Sequence, residues 1–351
     1  MPRTTLRRGL QTRLGLPLLL ALGAFSTRNA GAAECVSTAG LSPCFDANAL
    51  WLPAGRSSFV SLPDTRSTAV RQATFGLSAE LLHRPVLLHA ASPDSDGRDV
   101  NVVDLAVDSS LFAAFGLVQD LELSFVLPVR AYQSGAGVGG ITSQTSPEIK
   151  RTALRDPRLG LAYSLDDTLA TRGLGLRLAL DASLPFGNEQ VFAGERSLVV
   201  APSVTLGFQR SRFRTGATVG LRLRRALDFG GVRLGDQAFI ALGVGMEILA
   251  PGWLFVSLEA FGSPSLTDNR AADASPQLSA VNLFPAEWLA SLHSSFGTAH
   301  WTLGVGAGSG IPLSSETRTT SNGTSTSHFM GVTTPDFRSL LVVRYTLSVP
   351  P

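Results

Sequence analysis

The feature that most constrains this chain is a two-residue alternation of apolar and polar side chains, which recurs along most of its 351 residues. In the clearest segment, residues 174–186, an apolar residue stands at every even position, and Gly, Arg, Ala, Asp, Ser or Pro stands at the odd ones. A β-strand sends alternate side chains to opposite faces, so this segment is predicted to be a strand. The apolar rows of the similar segments carry no charge.

Twelve segments are predicted to be strands, and most exceed the 9 to 11 residues that cross a bilayer at a tilt. They cover residues 73–84, 101–117, 121–132, 154–165, 173–186, 197–209, 212–225, 237–249, 253–262, 286–297, 300–312 and 336–348. Short turns and long loops alternate between them, as in outer-membrane barrels. We therefore predict an all-β fold, a transmembrane antiparallel up-and-down β-barrel of about 12 strands over residues 71–351.

A secreted β-sandwich is the alternative, because its strands also alternate. Aromatic residues favour the membrane barrel, since they form one band near the short turns and another near the long loops. The bands comprise Tyr163, Phe208, Phe213, Phe296, Trp301 and Tyr345, and Phe186, Trp288 and Phe337. After the first 33 residues, no stretch of about 18 residues is free of charges and helix breakers, so membrane-spanning helices are not predicted.

Residues 1–33 have the three parts of a secretory signal peptide: several Arg, the apolar stretch Leu14–Phe25, and the small residues Ala30–Ala32. Removal of this leader, with its five Arg and no acidic residue, leaves 24 basic and 27 acidic residues, a net charge of −3. The basic residues form no run, so no nucleic-acid partner is expected. Export and a barrel together predict the outer membrane of a Gram-negative-type cell envelope.

The two cysteines, Cys35 and Cys44, lie at the start of the exported chain. An oxidising compartment favours a disulfide between them over a metal site, for which the region lacks ligands. They belong to residues 34–70, an N-terminal extension that is predicted either to enter the barrel as a plug or to lie along its periplasmic mouth.

Four short phrases follow one another along the chain: Ala49–Pro53, Ala114–Leu117 with the tight turn into Leu121–Leu123, Arg155–Gly160 and Thr334–Arg338. Together they resemble the N-terminal β-barrel of OmpA-family outer-membrane proteins. The resemblance implies an outer-membrane barrel of porin or transporter type without a known solute. Since the sequence given stops at Pro351, we expect no C-terminal peptidoglycan-binding domain.

Charged residues on the polar rows are predicted to line the lumen and to pair across strands. We expect Asp108 opposite Arg130, Arg158 opposite Asp181, Arg214 near Glu247, and Glu80 diagonal to Arg344. The densest group is predicted to be Arg222, Arg224, Glu247 and Glu259, which either brace the wall or form a constriction that selects solutes by charge. Gly304, Gly306, Gly308 and Gly310 are predicted to leave space in the lumen.

The sequence thus predicts a porin-like passive channel or transporter for small solutes. The alternative is a non-conducting structural or surface-interaction barrel. An outer-membrane barrel enzyme is a third class, but His293 beside Ser291 and Ser295 lies within a strand, and no catalytic site or cofactor is expected. The expected partners are outer-membrane lipid, the barrel assembly machinery and small solutes; the sequence leaves the oligomeric state open.

Overall fold

The computed structural model describes residues 41–90, 98–138, 149–165, 173–230, 232–249, 253–267, 279–296, 300–320 and 323–348. Within these ranges the chain forms eighteen strands and one 3-10 turn, Glu189–Val191. The strands are β1 (Gln72–Ala90), β2 (Arg98–Val118), β3 (Leu121–Ser134), β4 (Ala153–Leu154), β5 (Arg158–Leu165), β6 (Leu174–Ser183), β7 (Val199–Arg210), β8 (Phe213–Arg222), β9 (Leu227–Phe229), β10 (Val232–Leu234), β11 (Gln237–Leu249), β12 (Leu254–Gly262), β13 (Ser279–Asn282), β14 (Ala286–Phe296), β15 (Trp301–Gly310), β16 (Ser314–Thr320), β17 (Gly323–Phe329) and β18 (Phe337–Ser348).

Twelve long strands form the wall of a closed antiparallel barrel. Their order around it is β1, β2, β3, β5, β6, β7, β8, β11, β12, β14, β15 and β18. Pairing of β18 with β1, from Gln72 opposite Ser348 to His83 opposite Phe337, closes the ring. The predicted fold class is confirmed, and each of the twelve predicted segments corresponds to one wall strand. The first hairpin is longer than predicted, because β1 and β2 stay paired as far as Ala90 and Arg98.

The outer face of the wall is apolar, since one side chain in two along each strand points away from the lumen. Leu111, Leu206, Val219, Leu242 and Leu258 are each more than half exposed there. The aromatic band near the short turns includes a cluster in which Trp301 lies between Phe296 and Tyr345, with ring centroids 6.4 and 4.6 Å apart. Such a face is unfavourable in water and suits lipid. In the part of the chain that the structure describes, no helix has the length and apolar character of a membrane span.

Residues 41–70, here called the plug, lie inside the barrel and run from one end to the other. At the end that carries the long loops, Leu41 bridges to Phe229 and Asp46 to Ala193. At the short-turn end, Ser67 donates a hydrogen bond to the carbonyl of Asp120, in the turn between β2 and β3. Of the two predicted placements of the N-terminal extension, the structure has the one inside the barrel.

Two apolar clusters hold the plug. In mid-lumen, Leu50, Leu52, Phe59, Val60 and Leu62 of the plug pack against inward side chains of the wall, such as Phe112 and Phe255. At the long-loop end, a second set, here called the cap cluster, joins the start of the plug to the loops. It comprises Leu41, Phe45, Ala47, Leu82, Val86, Val100, Val102, Val103, Ala106, Ile149, Val191, Phe192, Ala193, Phe229, Leu234 and Leu283. The described residues therefore cover the long-loop end, whereas the short-turn end has a wide mouth.

Cys44 is fully buried in this region and disulfide-bonded. Cys35 lies outside the described residues, as does the whole of the predicted signal peptide. The pairing of the two cysteines therefore stays a prediction.

Candidate functional site in the lumen

The lumen holds a buried ion-pair network centred on Arg338 of β18. Its guanidinium binds Glu287 of β14 at two points, 2.7 and 2.9 Å, and donates to Glu80 of β1 at 2.8 Å. It also donates to the side-chain oxygen of Asn48, a plug residue, at 3.0 Å. Arg338 has no solvent exposure. Four separate parts of the chain are thereby joined, and Glu80 pairs with Arg338 instead of Arg344, its predicted partner.

A second network surrounds Asp108 of β2. Arg130 of β3 stands opposite and donates to both of its oxygens, at 2.7 and 3.1 Å, which confirms this predicted pair. Arg155 approaches Asp108 to 3.1 Å and binds Asp46 of the plug at 2.7 Å. The Asn48 amide donates to Asp108 at 3.0 Å. The plug is therefore bound through polar groups as well as through apolar packing.

Closer to the short-turn end, two wall carboxylates bind the backbone of the plug. Glu259 accepts the N–H groups of Val60 and Ser61 at 2.7 to 3.0 Å. Glu122 accepts the N–H and hydroxyl of Thr68 at 2.8 and 2.7 Å, and it pairs with Arg177 at 2.7 Å. Hydrogen bonds to a charged acceptor are the strong ones, so these two residues fix the course of the plug.

Two arginines contact the same plug indole. The Cζ of Arg158 on β5 lies 4.9 Å from the Trp51 ring centroid, and that of Arg222 on β8 lies 4.7 Å from it. Arg222 also lies 4.9 Å from the ring of Phe239 and donates to the carbonyl of Ala49 at 2.9 Å. Cation–π contacts of this kind are worth about 2 kcal/mol when they are shielded from water.

Two cavities lie beside the plug. The larger, about 1130 Å³, is at the short-turn mouth and is lined by residues such as Arg214, Glu247 and Trp253. The smaller, about 100 Å³, lies deeper, where Trp51, Arg158, Arg177, Asp181 and Arg222 reach it. Pro63 borders both cavities. They therefore lie in series along one side of the plug.

Of two further predicted ion pairs, one is present in the structure and the other is not. Arg214 and Glu247 form the predicted ion pair, and Arg214 also reaches Ser58 of the plug. Arg158 and Asp181 do not stand opposite each other: Arg158 faces Ser183, and Asp181 faces Gly160. The register of β5 and β6 is two residues away from the predicted one, and Arg158 meets Trp51 instead of a carboxylate.

The predicted group of Arg222, Arg224, Glu247 and Glu259 does not exist as one constriction. Arg224 pairs with Glu195 among the long loops, at 2.7 Å. Arg222 lies against aromatic rings, Glu259 binds the plug, and Glu247 lies at the short-turn mouth. The four side chains are spread along the lumen because they belong to different levels of three strands and a loop.

Glycines of the inner rows make room for the plug, though not those that the sequence suggested. A Cβ at Gly175 or Gly207 would lie within 2.8 Å of Thr65, and one at Gly243 within 2.9 Å of Phe59. The space at Gly304 is filled by the ring of His293 and that at Gly308 by its neighbouring strand. The glycines that mark the path of the plug therefore lie on the polar rows of β6, β7 and β11.

Sequence reasoning did not anticipate the part played by Asn48. This uncharged plug residue bonds to Glu80, Asp108 and Arg338, and it links both networks. A buried amide with both donor and acceptor capacity suits such a position. Nothing in the sequence around it marks that role.

Asp156 lies at the long-loop rim, between β4 and β5. It accepts the N–H groups of Gly187 and Glu195, each at 2.6 Å. Burial raises the pKa of Asp156 to about 7, against the lowering effect of these two donors. Its charge state therefore changes near neutral pH.

Ser291 and His293 form the one serine–histidine contact of the described lumen, with Oγ and Nε2 2.9 Å apart. Ser291 is buried and also contacts Ser257. His293 Nδ1 has no hydrogen-bond partner in the described part of the chain. A nucleophile needs a base that a third group orients, and this pair lacks that group. The same described residues contain no cluster of three or more metal-binding side chains.

The likeness to solved structures is one of fold. An outer-membrane channel from Pseudomonas putida F1 is similar over 82% of this chain and 100% of its own, with 12% identity and a TM-score of 0.55. The toluene transporter TodX of Pseudomonas putida (12% identity, TM-score 0.39) is matched over 89% of this chain and 98% of its own. An active-site mutant of outer membrane phospholipase A from Escherichia coli (11%, 0.34) is matched over 82% and 94%.

The barrel fold is therefore shared with a known outer-membrane channel. No protein-family model and no curated protein sequence matches the chain. Its resemblance to the OmpA family stays a prediction.

Proposed function

We propose that the protein is an outer-membrane channel that passes small solutes along one side of its plug. The observation that carries this proposal is the pair of neighbouring cavities, one at the short-turn mouth and one deeper in the lumen, which share Pro63 in their linings. The apolar outer face supports a place in lipid, with insertion by the barrel assembly machinery. The likeness in fold to an outer-membrane channel is consistent with it.

The path is narrow. Twelve strands enclose more space than eight, which side chains fill, but less than the sixteen of open porins. Here the plug occupies most of that space, and the small cavity of about 100 Å³ is the limiting section. Solutes of small cross-section are the class that such a path admits, and the cap cluster must open locally to release them.

Conductance of the refolded chain in planar bilayers tests the proposal. Ala179→Trp places a large ring in the small cavity, which Ala179 lines, whereas Leu180→Trp adds the same ring on the exposed outer face. We expect discrete channels from the wild type and from Leu180→Trp, with most of the current lost in Ala179→Trp. Equal currents from both variants would show that solutes take another route.

A non-conducting structural barrel is the second candidate, and the cap cluster favours it. Sixteen buried apolar residues cover the long-loop end, and the loops there form their own small sheets, β9–β10 and β13–β16–β17. This candidate predicts bilayers with no channel events from correctly folded wild-type protein. Catalysis is not proposed, because Ser291 and His293 lack a third group that would orient the imidazole.

A further inference from the structure

Arg158 and Arg222 are buried cations whose closest contacts are aromatic rings. Their relative exposures are 8% and 6%, and both line the small cavity. Neither forms an ion pair with a described acidic residue; their contacts are the Trp51 ring and, for Arg222, also Phe239 and the Ala49 carbonyl. Because both Cζ atoms lie within 5 Å of the same ring centroid, they are within about 10 Å of each other.

The other charges of the small cavity neutralise this pair only in part. Arg177 is bound to Glu122 at 2.7 Å, and its Nε has no hydrogen-bond partner among the described residues. Asp181 lies beside Gly160 and interacts electrostatically with Arg158, although the two form no direct ion pair. Three guanidinium groups and two carboxylates thus surround the cavity, which leaves one positive charge in excess.

An uncompensated charge that is removed from water is unfavourable, and an anion in the cavity would offset it. A guanidinium offers parallel N–H donors that match the two oxygens of a carboxylate. Trp51, Leu52 and Phe239 supply apolar surface beside these donors. We propose that the small cavity binds a small organic monocarboxylate, with Arg158 and Arg222 as its cationic ligands.

The volume sets the size of this ligand. A cavity of about 150 Å³ can hold a benzene ring, and each liquid water takes up roughly 30 Å³, so about 100 Å³ holds about three water molecules. Covalently bonded atoms pack more closely than water, and a short-chain carboxylate of about four or five non-hydrogen atoms is of that size. The inference rests on the proposed channel for its biological meaning, because it names the solute class that the narrow section of the path would hold.

Isothermal titration of the full chain in detergent micelles with propionate tests the proposal, and propionamide serves as an uncharged ligand of the same shape. We expect one propionate per chain and at least tenfold weaker binding of propionamide. Arg158→Gln and Arg222→Gln should each weaken propionate binding by roughly tenfold or more, which is the value of a charged hydrogen bond. Arg225→Gln removes an exposed arginine three positions from Arg222 and should leave the affinity unchanged.

Equal affinities for propionate and propionamide would overturn the proposal. So would unchanged propionate binding in both Gln variants, provided that they retain the heat-dependent gel mobility of a folded barrel. Titration needs no membrane potential, so the two proposals can fail separately. A chain that binds propionate and gives no current loses only its role as a channel, whereas one that conducts without binding propionate loses only this site.

Discussion

Glu259 of the wall and Ser61 of the plug are joined by two hydrogen bonds of 2.7 Å, one from the Ser61 N–H and one from its hydroxyl, both to Oε2 of Glu259. The N–H of Val60 reaches the same carboxylate at 2.9 and 3.0 Å. Two of these donors belong to the main chain. The wall therefore fixes the path of the plug backbone in mid-lumen, and this contact leads to the first prediction.

Glu259→Gln should loosen the plug without unfolding the wall. The substitution removes the charge and turns an amide N–H₂ toward the plug donors, and a hydrogen bond to a charged group is worth about 1.5–3 kcal/mol. We expect the Val60 and Ser61 amides to exchange with deuterium roughly 10 to 150 times faster. Glu189→Gln, among the long loops, is the control and should have no such effect. Unaltered exchange at residues 60 and 61 would mean that apolar packing alone holds the plug.

Arg338→Ala should be strongly destabilising, because it leaves Glu80 and Glu287 buried without their cation. Loss of one partner of a buried ion pair costs about 3–5 kcal/mol. The measurement is urea-induced unfolding in detergent, followed by tryptophan fluorescence. Arg338→Met with Glu287→Gln and Glu80→Gln removes all three charges, and it should recover part of the loss. If Arg338→Ala lowers the free energy of unfolding by less than about 1 kcal/mol, water reaches the network and Arg338 is not buried.

Asp156 should make folding stability depend on pH near neutrality. Its pKa is raised from an ordinary value of 3.8 to about 7, so the folded state holds the proton more tightly than the unfolded one. The stability should therefore fall as pH rises from about 4 to about 7, by up to about 4 kcal/mol, and should stay at the lower value above pH 7.

Unfolding of the wild type and of Asp156→Asn between pH 4 and pH 8 checks this sign. The difference in the free energy of unfolding between the two proteins should change between pH 4 and pH 8, since the Asn side chain does not titrate there. Asp104→Asn, at an exposed position, serves as the control. A constant difference from pH 4 to pH 8 contradicts the raised pKa.

Leu242→Arg should interfere with folding into bilayers. Leu242 is 56% exposed near the middle of β11, so the arginine would face hydrocarbon, at a cost of about 2–4 kcal/mol. Leu266 is equally exposed, at 57%, but lies in a loop, and Leu266→Arg should cost far less. The measurement is the urea dependence of folding into phospholipid vesicles. Similar small costs at both positions would indicate that the outer face meets water.

Strand parity carried most of what could be predicted. The alternation assigns each side chain to a face, and the short turn before Leu121, together with a one-residue register shift at Leu117, sets Asp108 opposite Arg130. Where the turn is longer, as between β5 and β6, parity leaves the register open by steps of two, and the Arg158 and Asp181 pairing was wrong for that reason. Both residues still face the lumen, as parity requires.

The contacts of the plug could not be predicted, because residues 41–70 have no periodic pattern and their partners lie far away in sequence. Arg338 and Asn48 are separated by 290 positions, and no local rule relates them. Glycines on the inner rows are the one sequence feature that relates to the plug. Gly207 and Gly243 lack side chains where Thr65 and Phe59 pass. The glycines of β15 form a similar row in the sequence but do not contact the plug, so the sequence does not distinguish the two cases.

The direction of the plug also limits the routes of assembly. Its first described residues lie in the cap cluster at the long-loop end, and its last ones lead into β1 at the short-turn end. β1 then meets β18, almost the full length of the chain away, to close the ring. Because the cap cluster covers the long-loop end, Leu41 and Phe45 reach their places from the short-turn side. Assembly therefore has two routes: the plug is in place before β1 and β18 join, or it enters the closed ring through the short-turn mouth.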